Sequence, residues 1–330
     1  MAFVQPCFVQ GMRAALACAL FALLSASAAF AQYPSRPIHL IVGFAPGGSN
    51  DIVARIVGQK VGELLGTSVI IENRAGANGA TASEGVARAT PDGYTLILVS
   101  ASMFAISPHT TADLRYDPLK DFVPIGTVAM TPEVLAINPN IEAKTLSDLI
   151  DLAKKKELTL ASSGAGGLPH LSIELFRKLG GDVKILHVPY RGGAPAATDV
   201  AAGHTNGIIM DLPALQSLIL DGKLRAIAIT NTSRSASLPD VPTSVEQGMS
   251  RLISVNWFAV MAPGGTPDDI ADRIQKAFAS AAKSPEIVTK LAALGIEPMT
   301  QGSRAEFVQF LKDDSARWRD LARDEGLAVK

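Results

Sequence analysis

Gly43-Phe44-Ala45-Pro46-Gly47-Gly48-Ser49-Asn50-Asp51 is the stretch on which the fold turns. Before it, residues 38–44 form a β-rich run that Pro46, Gly47 and Gly48 break. After it, apolar residues recur at Ile52, Val53, Ile56, Val57, Val61, Leu64 and Leu65, the period of one helix face. A strand therefore passes through a glycine turn directly into a helix. A further strand is predicted at residues 68–71, then a loop of small residues and glycine over 74–82, then a buried strand at 94–99 behind Pro91-Asp92-Gly93. The βαβ order predicts an α/β protein with a parallel sheet covered by helices on both faces.

A second alternation follows the breaks at Asp117-Pro118 and Val123-Pro124. Strands are predicted at 134–137, 158–161, 183–188, 207–210 and 224–229, with helices opening at Thr145, Pro169 and Pro195. The Thr145 start carries Asp148 three residues on, a capping-box spacing. The chain ends in a strand at 253–261 and two helices, one from Thr266-Pro267-Asp268-Asp269 and one from Ser303 with Glu306. Each half is expected to form a sheet with a crevice at its carboxyl ends, which predicts a cleft between two lobes.

The opening stretch is also the first candidate site. Glycines let a ligand approach the backbone, and the first amides of a helix have no intrahelical partner and sit in its positive end. The candidate anion-binding residues here are Phe44, Ala45, Gly47, Gly48, Ser49 and Asn50; the plainer alternative is a tight turn with an ordinary cap. Ser162-Ser163-Gly164-Ala165-Gly166-Gly167-Leu168-Pro169-His170 repeats the pattern in the second half and adds Ser163, Gly164, Gly167 and His170. Two such loops on opposite lobes would grip one ligand from both sides. Asp211, at the end of the strand 207–210, is either a ligand acceptor or the cap of a helix starting near Pro213. Arg191, in Pro189-Tyr190-Arg191-Gly192-Gly193, either pairs with a ligand carboxylate or lies exposed, and exposure is the favoured reading.

Several chemistries are not supported. Neither loop carries the Gly-Lys-Ser/Thr of a phosphate-transfer loop or a dinucleotide fingerprint, and Gly47 to Asp51 lacks the last glycine of a nucleophile elbow. Ser280-Ala281-Ala282-Lys283 matches a Ser-x-x-Lys pattern but ends an alanine-rich helix. A serine hydrolase built on Ser49 or Ser163 with His170 lacks an orienting acid near that histidine. His39, His109, His170, His187 and His204 fall in five separate segments without helical metal-ligand spacing, so no metal and no cofactor is expected.

The first 31 residues read as a secretory leader: Arg13 is their only charge, residues 14–24 are apolar, and Ala29-Phe30-Ala31 precedes Gln32. Eleven apolar residues are too few for a membrane span of roughly 20. Cleavage after Ala31 would remove Cys7 and Cys18, the only cysteines, and leave 29 basic against 31 acidic residues, a net charge of −2. That balance gives nucleic acid no footing. The expectation is a periplasmic, monomeric, two-domain protein with no membrane insertion after cleavage.

With these motifs in place, the chain resembles the Bug family, the extracytoplasmic solute receptors of tripartite tricarboxylate transporters. The resemblance rests on Tyr33-Pro34 with Arg36-Pro37-Ile38, Phe44-Ala45-Pro46-Gly47-Gly48-Ser49, Glu72-Asn73-Arg74 and Pro91-Asp92-Gly93-Tyr94-Thr95-Leu96. It continues through Tyr116-Asp117-Pro118, His187-Val188-Pro189-Tyr190, Leu238-Pro239-Asp240-Val241-Pro242-Thr243 and Trp257-Phe258. It implies a Venus-flytrap fold of the type II periplasmic binding class, with residues 32–130 and 254–330 in one lobe and 131–253 in the other. It also implies that both glycine loops hold a ligand carboxylate, that Asp211 faces the cleft, and that the partners are the transporter's membrane subunits. The ligand would be a di- or tricarboxylate, an amino acid or an aromatic acid. Gly167, Leu168 and Pro169 replace hydroxyl residues usual in the family, and Leu168 is expected to suit a partly apolar acid. A ligand-dependent partner of a sensor kinase is the alternative role.

Overall fold

The computed structural model describes residues 33–300, 302–324 and 326–329, so the expected leader lies outside the described residues. The main body starts at Arg36 and is a single contact unit. Strand β1 (Ile38–Val42) leads through the glycine turn to helix α1 (Ser49–Leu65), which Gly66 ends in the left-handed conformation. Next come β2 (Val69–Asn73), α2 (Ala80–Ala87) and β3 (Thr95–Ser100), and both β2 and β3 pair with β1 in parallel. A π-helical turn (Ser102–Ile106) then runs into the short α3 (Ser107–Thr110).

Strand β4 (Phe122–Ile137) is 16 residues long, where the sequence predicts only 134–137. Pro124, Gly126 and Pro132 read as breaks, yet the strand runs through them: its register shifts between Pro124 and Gly126 and again between Thr127 and Ala129, and Pro132 stands in register opposite Val255. The middle of the chain adds α4 (Leu146–Lys155), β5 (Leu158–Ser162), α5 (Leu168–Leu179), β6 (Ile185–Pro189), α6 (Gly193–Ala201), β7 (Gly207–Asp211), α7 (Leu212–Leu220) and β8 (Arg225–Ile229). The expected capping box at Thr145 and Asp148 is formed. The last quarter comprises β9 (Val255–Pro263), α8 (Asp268–Lys283), α9 (Pro285–Ala292), β10 (Glu297–Pro298) and α10 (Arg304–Asp324). The third helix, α9, hides in the sequence because Ser284 and Pro285 look like the end of α8 rather than a new start.

The sheet order is β2-β1-β3-β9-β4-β7-β5-β6, with β8 and β10 also on β4. The sheet is mixed rather than all-parallel, because β9 is antiparallel to both β3 and β4. Strand β4 joins the two halves: it pairs with β9 as far as Pro132 opposite Val255, then with β7 from Glu133 opposite Asp211. Both halves thus share one strand, with the change of partner falling between Pro132 and Glu133.

Helix α5 also belongs to both halves. Leu168 and Leu171 lie in the apolar cluster of Phe104, Trp257 and Phe307, whereas Ile173 and Phe176 lie in that of Leu135, Leu149 and Ile209. This overturns the expectation that Leu168 faces a ligand: it is 0% exposed in the first cluster. Leu168→Ala should cost about 2–4 kcal/mol in urea unfolding, as expected for a cavity in a packed core. A loss under about 0.5 kcal/mol would place the side chain outside the core.

Candidate functional site

The glycine turn after β1 ends at Gly48, the N-cap of α1, and no side chain caps it. Ile52 N–H makes the first helical bond, to Gly48 O at 3.0 Å, so the amides of Ser49, Asn50 and Asp51 precede the helical ladder. Sequence reading places a capping residue here; the structure puts Ser49, Asn50 and Asp51 inside the first turn instead. Gly47 has φ +82, a left-handed backbone that favours glycine, while Gly48 has an ordinary φ of −82.

Asp51 sets this turn. Its Oδ2 accepts from Gly47 N at 3.0 Å and its Oδ1 from Asn73 Nδ2 at 2.9 Å, while the same amide nitrogen reaches Phe44 O at 3.0 Å. Burial alone would raise the Asp51 carboxyl, but hydrogen bonds from Arg55, Gly47 and Asn73 outweigh it and hold the group below its ordinary range. The turn is therefore fastened at both ends by a carboxylate and an amide that the sequence reading did not single out; the Glu72-Asn73-Arg74 motif at the end of β2 was the available signal. Asp51→Ala should lower the affinity for an anion held at this turn about tenfold by releasing Gly47 and Asn73 together, roughly one hydrogen bond to a charged group. Unchanged affinity by calorimetry would show that the turn holds itself.

Two adjoining cavities meet at this turn. A small inner pocket of about 10 Å³, room for about one water molecule, is lined by Phe44, Gly48, Ser49, Asn50, Ser163 and Asp211, together with Ser100, Ser102 and Asn256. An outer cavity of about 820 Å³ shares Phe44 and Ser163 and adds Gly164, His170, Arg191 and Asn78. Gly47 instead borders a third hollow with Ala194, and Ala45 packs across the cleft, where a Cβ on Gly192 would lie 3.4 Å from its own.

The inner pocket is rich in unsatisfied polar atoms. Ser49 Oγ, Asn50 Oδ1, Ser100 Oγ and Asp211 Oδ1 are buried with no hydrogen-bond partner at proper geometry. Asp211 is the N-cap of α7, but its side chain makes no capping bond; Oδ2 accepts from Asn256 Nδ2 at 2.9 Å. Burial pushes its carboxyl up to about 6, with the nearby Ser49 hydroxyl and the Asn256 amide drawing it back. Behind it, Glu133 is 0% exposed and is pushed up to about 8 by burial and by Asp211.

The second glycine loop plays a different part from the first. The first amide of α5, Leu168 N, donates to Ser102 Oγ at 2.9 Å, and Pro169 has no N–H. Thr110 Oγ1 donates to Gly166 O at 2.6 Å. These bonds cross from the β3–α3 segment to the second half and join the two sides of the cleft. Gly167 lies against Asn78, which occupies a turn where Ala77, Asn78 and Gly79 all have positive φ. Ser163, Gly164, Ala165, Gly166 and His170 line the outer cavity from this loop, Ser163 and Pro169 line the inner pocket, and Gly167 lines neither. Arg191 is exposed at the outer cavity, as the sequence reading favoured.

The histidines do not form the hydrolytic pair with Ser49 or Ser163 that is the alternative reading of the sequence. His170 Nδ1 accepts from Gly166 N at 2.9 Å, and its ring stacks on His187 at 3.8 Å. The Ser–His contact is Ser162 Oγ with His187 Nε2 at 2.6 Å. Burial, and then the neighbouring His170, lower His187 to about 3, which makes it a weak base.

Two α/β halves sharing a strand, with glycine loops at strand carboxyl ends facing across a cleft, define a two-lobed Venus-flytrap fold of the type II periplasmic binding class. The chain belongs to the tripartite tricarboxylate transporter family receptors, whose model matches residues 53–327. It is 36% identical to Protein BugT of Bordetella pertussis over 301 residues, 90% of this chain and 92% of that protein. Among solved structures, Rpa4515 of R. palustris with adipate superposes with a TM-score of 0.87 at 33% identity, covering 90% of this chain and 99% of that one. MatC of Rhodopseudomonas palustris with bound malate gives 0.83 at 29% identity, over 88% and 99%. No helix among the described residues is long and apolar enough to cross a membrane.

Proposed function

We propose that this protein captures a small carboxylate, foremost a dicarboxylate, between two lobes and delivers it to the membrane subunits of a tripartite transporter. The observation that carries this is the uncapped start of α1, opening on a pocket whose oxygen atoms lack partners. A carboxylate placed there accepts from free amides and hydroxyls in a positive helix end, the arrangement that anions favour. Adipate and malate, held by two structural relatives, supply the class of ligand. In this reading Phe44, Ala45, Gly47, Gly48, Ser49, Asn50, Ser163, Gly164, Gly167, His170, Arg191 and Asp211 form or frame the site. Residues 32–130 with 254–330 make one lobe and 131–253 the other, and residues 1–31 direct export and are cleaved after Ala31. The reading assigns no catalysis, which the receptor role of the family supports.

Thermal or chemical unfolding against a panel of organic acids tests the proposal. A ligand present at 100 times its Kd should raise stability by about 2.7 kcal/mol. A panel of di- and tricarboxylates, amino acids and aromatic acids that leaves stability unchanged at millimolar concentration would refute carboxylate capture.

A further inference from the structure

We propose that the carboxylate enters this site together with one proton, which Asp211 binds. The inference rests on the carboxylate reading above and concerns how the site tolerates two negative groups. Asp211 and Glu133 are both 0% exposed and stand opposite one another in the β4–β7 ladder. Their hydrogen-bond donors are neutral: Asn256 Nδ2 for Asp211, Ser172 and Ser254 hydroxyls for Glu133. No lysine, arginine or histidine bonds to either carboxyl among the described residues.

The surroundings are as follows. From α1, Ser49 and Asn50 line the pocket, and the one charge in that turn, Asp51, is engaged by Arg55 and Asn73. From β9 comes Asn256, from the end of β3 Ser100 and Ser102, from α5 Pro169, and from α6 Gly193, none of which titrates in the relevant range. His170, lowered by burial, and Arg191 line the outer cavity. Among the described residues Asp211 is therefore the only ionisable side chain on the inner pocket, with its Oδ1 unpartnered.

A ligand carboxylate brought to the start of α1 widens the inner pocket, which has room for about 10 Å³ without it, and then meets that oxygen among buried groups. Two carboxylates sharing such a site do not both stay ionised; one takes up a proton. Asp211 is poised for this because burial already disfavours its charge and its neighbour Glu133 is itself a buried acid. The balance is simple: a proton from solvent forms an O–H bond at Asp211 Oδ1, which then donates to the ligand carboxylate, so a bound dicarboxylate adds one negative charge to the complex rather than two. Asp211 thus shifts from repelling the ligand to donating to it.

The test is calorimetric titration with adipate and with malate at pH 8 in phosphate and in Tris, whose ionisation enthalpies differ. The observed heat should vary with the buffer enthalpy with a slope close to one proton taken up per ligand. Over pH 7–9 the Kd should rise about tenfold per pH unit, as linkage to one proton requires. Asp211→Asn should flatten both dependences, while Glu133→Gln, which removes the neighbouring group that titrates near 8, should keep them. A slope near zero in the unaltered protein would overturn proton uptake while leaving carboxylate capture standing. A slope that survives Asp211→Asn would overturn the assignment to this residue. Absence of binding by both acids would remove the carboxylate reading and this inference together.

Discussion

Gly167→Val should weaken carboxylate binding by about 100-fold, close to 2.7 kcal/mol, by preventing closure rather than by touching the ligand. A Cβ at this position would stand 2.9 Å from Asn78 Oδ1, 3.0 Å from Asn78 Nδ2 and 3.1 Å from Ser102 Oγ, all from the opposite side of the cleft. The Gly167 φ of −96 suits any residue, so the second half can fold with valine in place. What it cannot do without displacement is bring Leu168 N onto Ser102 Oγ. Overpacking of this kind costs about 1–3 kcal/mol, and here it falls on the closed state. Gly48→Val should also lose binding, but for another reason: Gly48 lines the inner pocket, and its Cβ would find only Ala45 O at 3.6 Å, so the protein accommodates it while the ligand does not. Small-angle scattering separates the two. Gly167→Val should give a larger radius of gyration than the parent at saturating adipate or malate, and Gly48→Val should match the ligand-free parent. A Gly167→Val protein that binds with parental affinity would show that the loop contact is not part of closure.

The sequence showed the strand-loop-helix units, because hydrophobic period and glycine breaks are local signals. It also pointed to both glycine loops and to Asp211 as strand-end residues. It did not show the single strand that joins the halves, since Pro124, Gly126 and Pro132 are breaks by every local rule and are rescued only by bulges and by β9 alongside. Nor did it show which loop stays open. Ser102 comes from 66 residues away to take the first amide of α5, and no pattern near Gly167 announces that. Leu168 was misread for the same reason: it follows a glycine loop, as a ligand contact would, yet the helix start carries it into the Phe104 and Trp257 cluster. Asp51 and Asn73 sit in quoted motifs, but their shared hold on Gly47 and Phe44 is a tertiary fact. Glu133 was invisible altogether, a lone acid in an apolar run whose partners, Ser172 and Ser254, lie 39 and 121 residues away.

Glu133 carries the remaining large expected effect, on stability against pH. It sits where β4 changes partners: its N–H donates to Ser254 O at 3.1 Å, its carbonyl accepts from Thr230 N at 2.9 Å, and Ser254 N donates to Thr230 O. Three segments cross here, and the carboxyl has nowhere to reach water. Its folded pKa, about 8 against an ordinary 4.5, lies above the unfolded value, so the native chain holds a proton that the unfolded chain releases. Stability from this group is therefore complete below about pH 4.5 and is lost as pH rises towards 8. At about 1.36 kcal/mol per pKa unit the loss is on the order of 5 kcal/mol. Glu133→Gln keeps the shape and removes the proton, so the difference in urea-unfolding free energy between variant and parent should grow with pH. The two should be nearly equal at pH 5, and the variant should be the more stable by several kcal/mol at pH 9, with Asp211 adding a smaller slope in both proteins. Parallel curves from pH 5 to 9 would mean that the carboxyl ionises freely and that the crossing of β4 is not closed to water. The same acid that costs stability in alkali then marks the point where β4 passes from β9 to β7, because only a dry, fully packed crossing keeps a glutamate neutral.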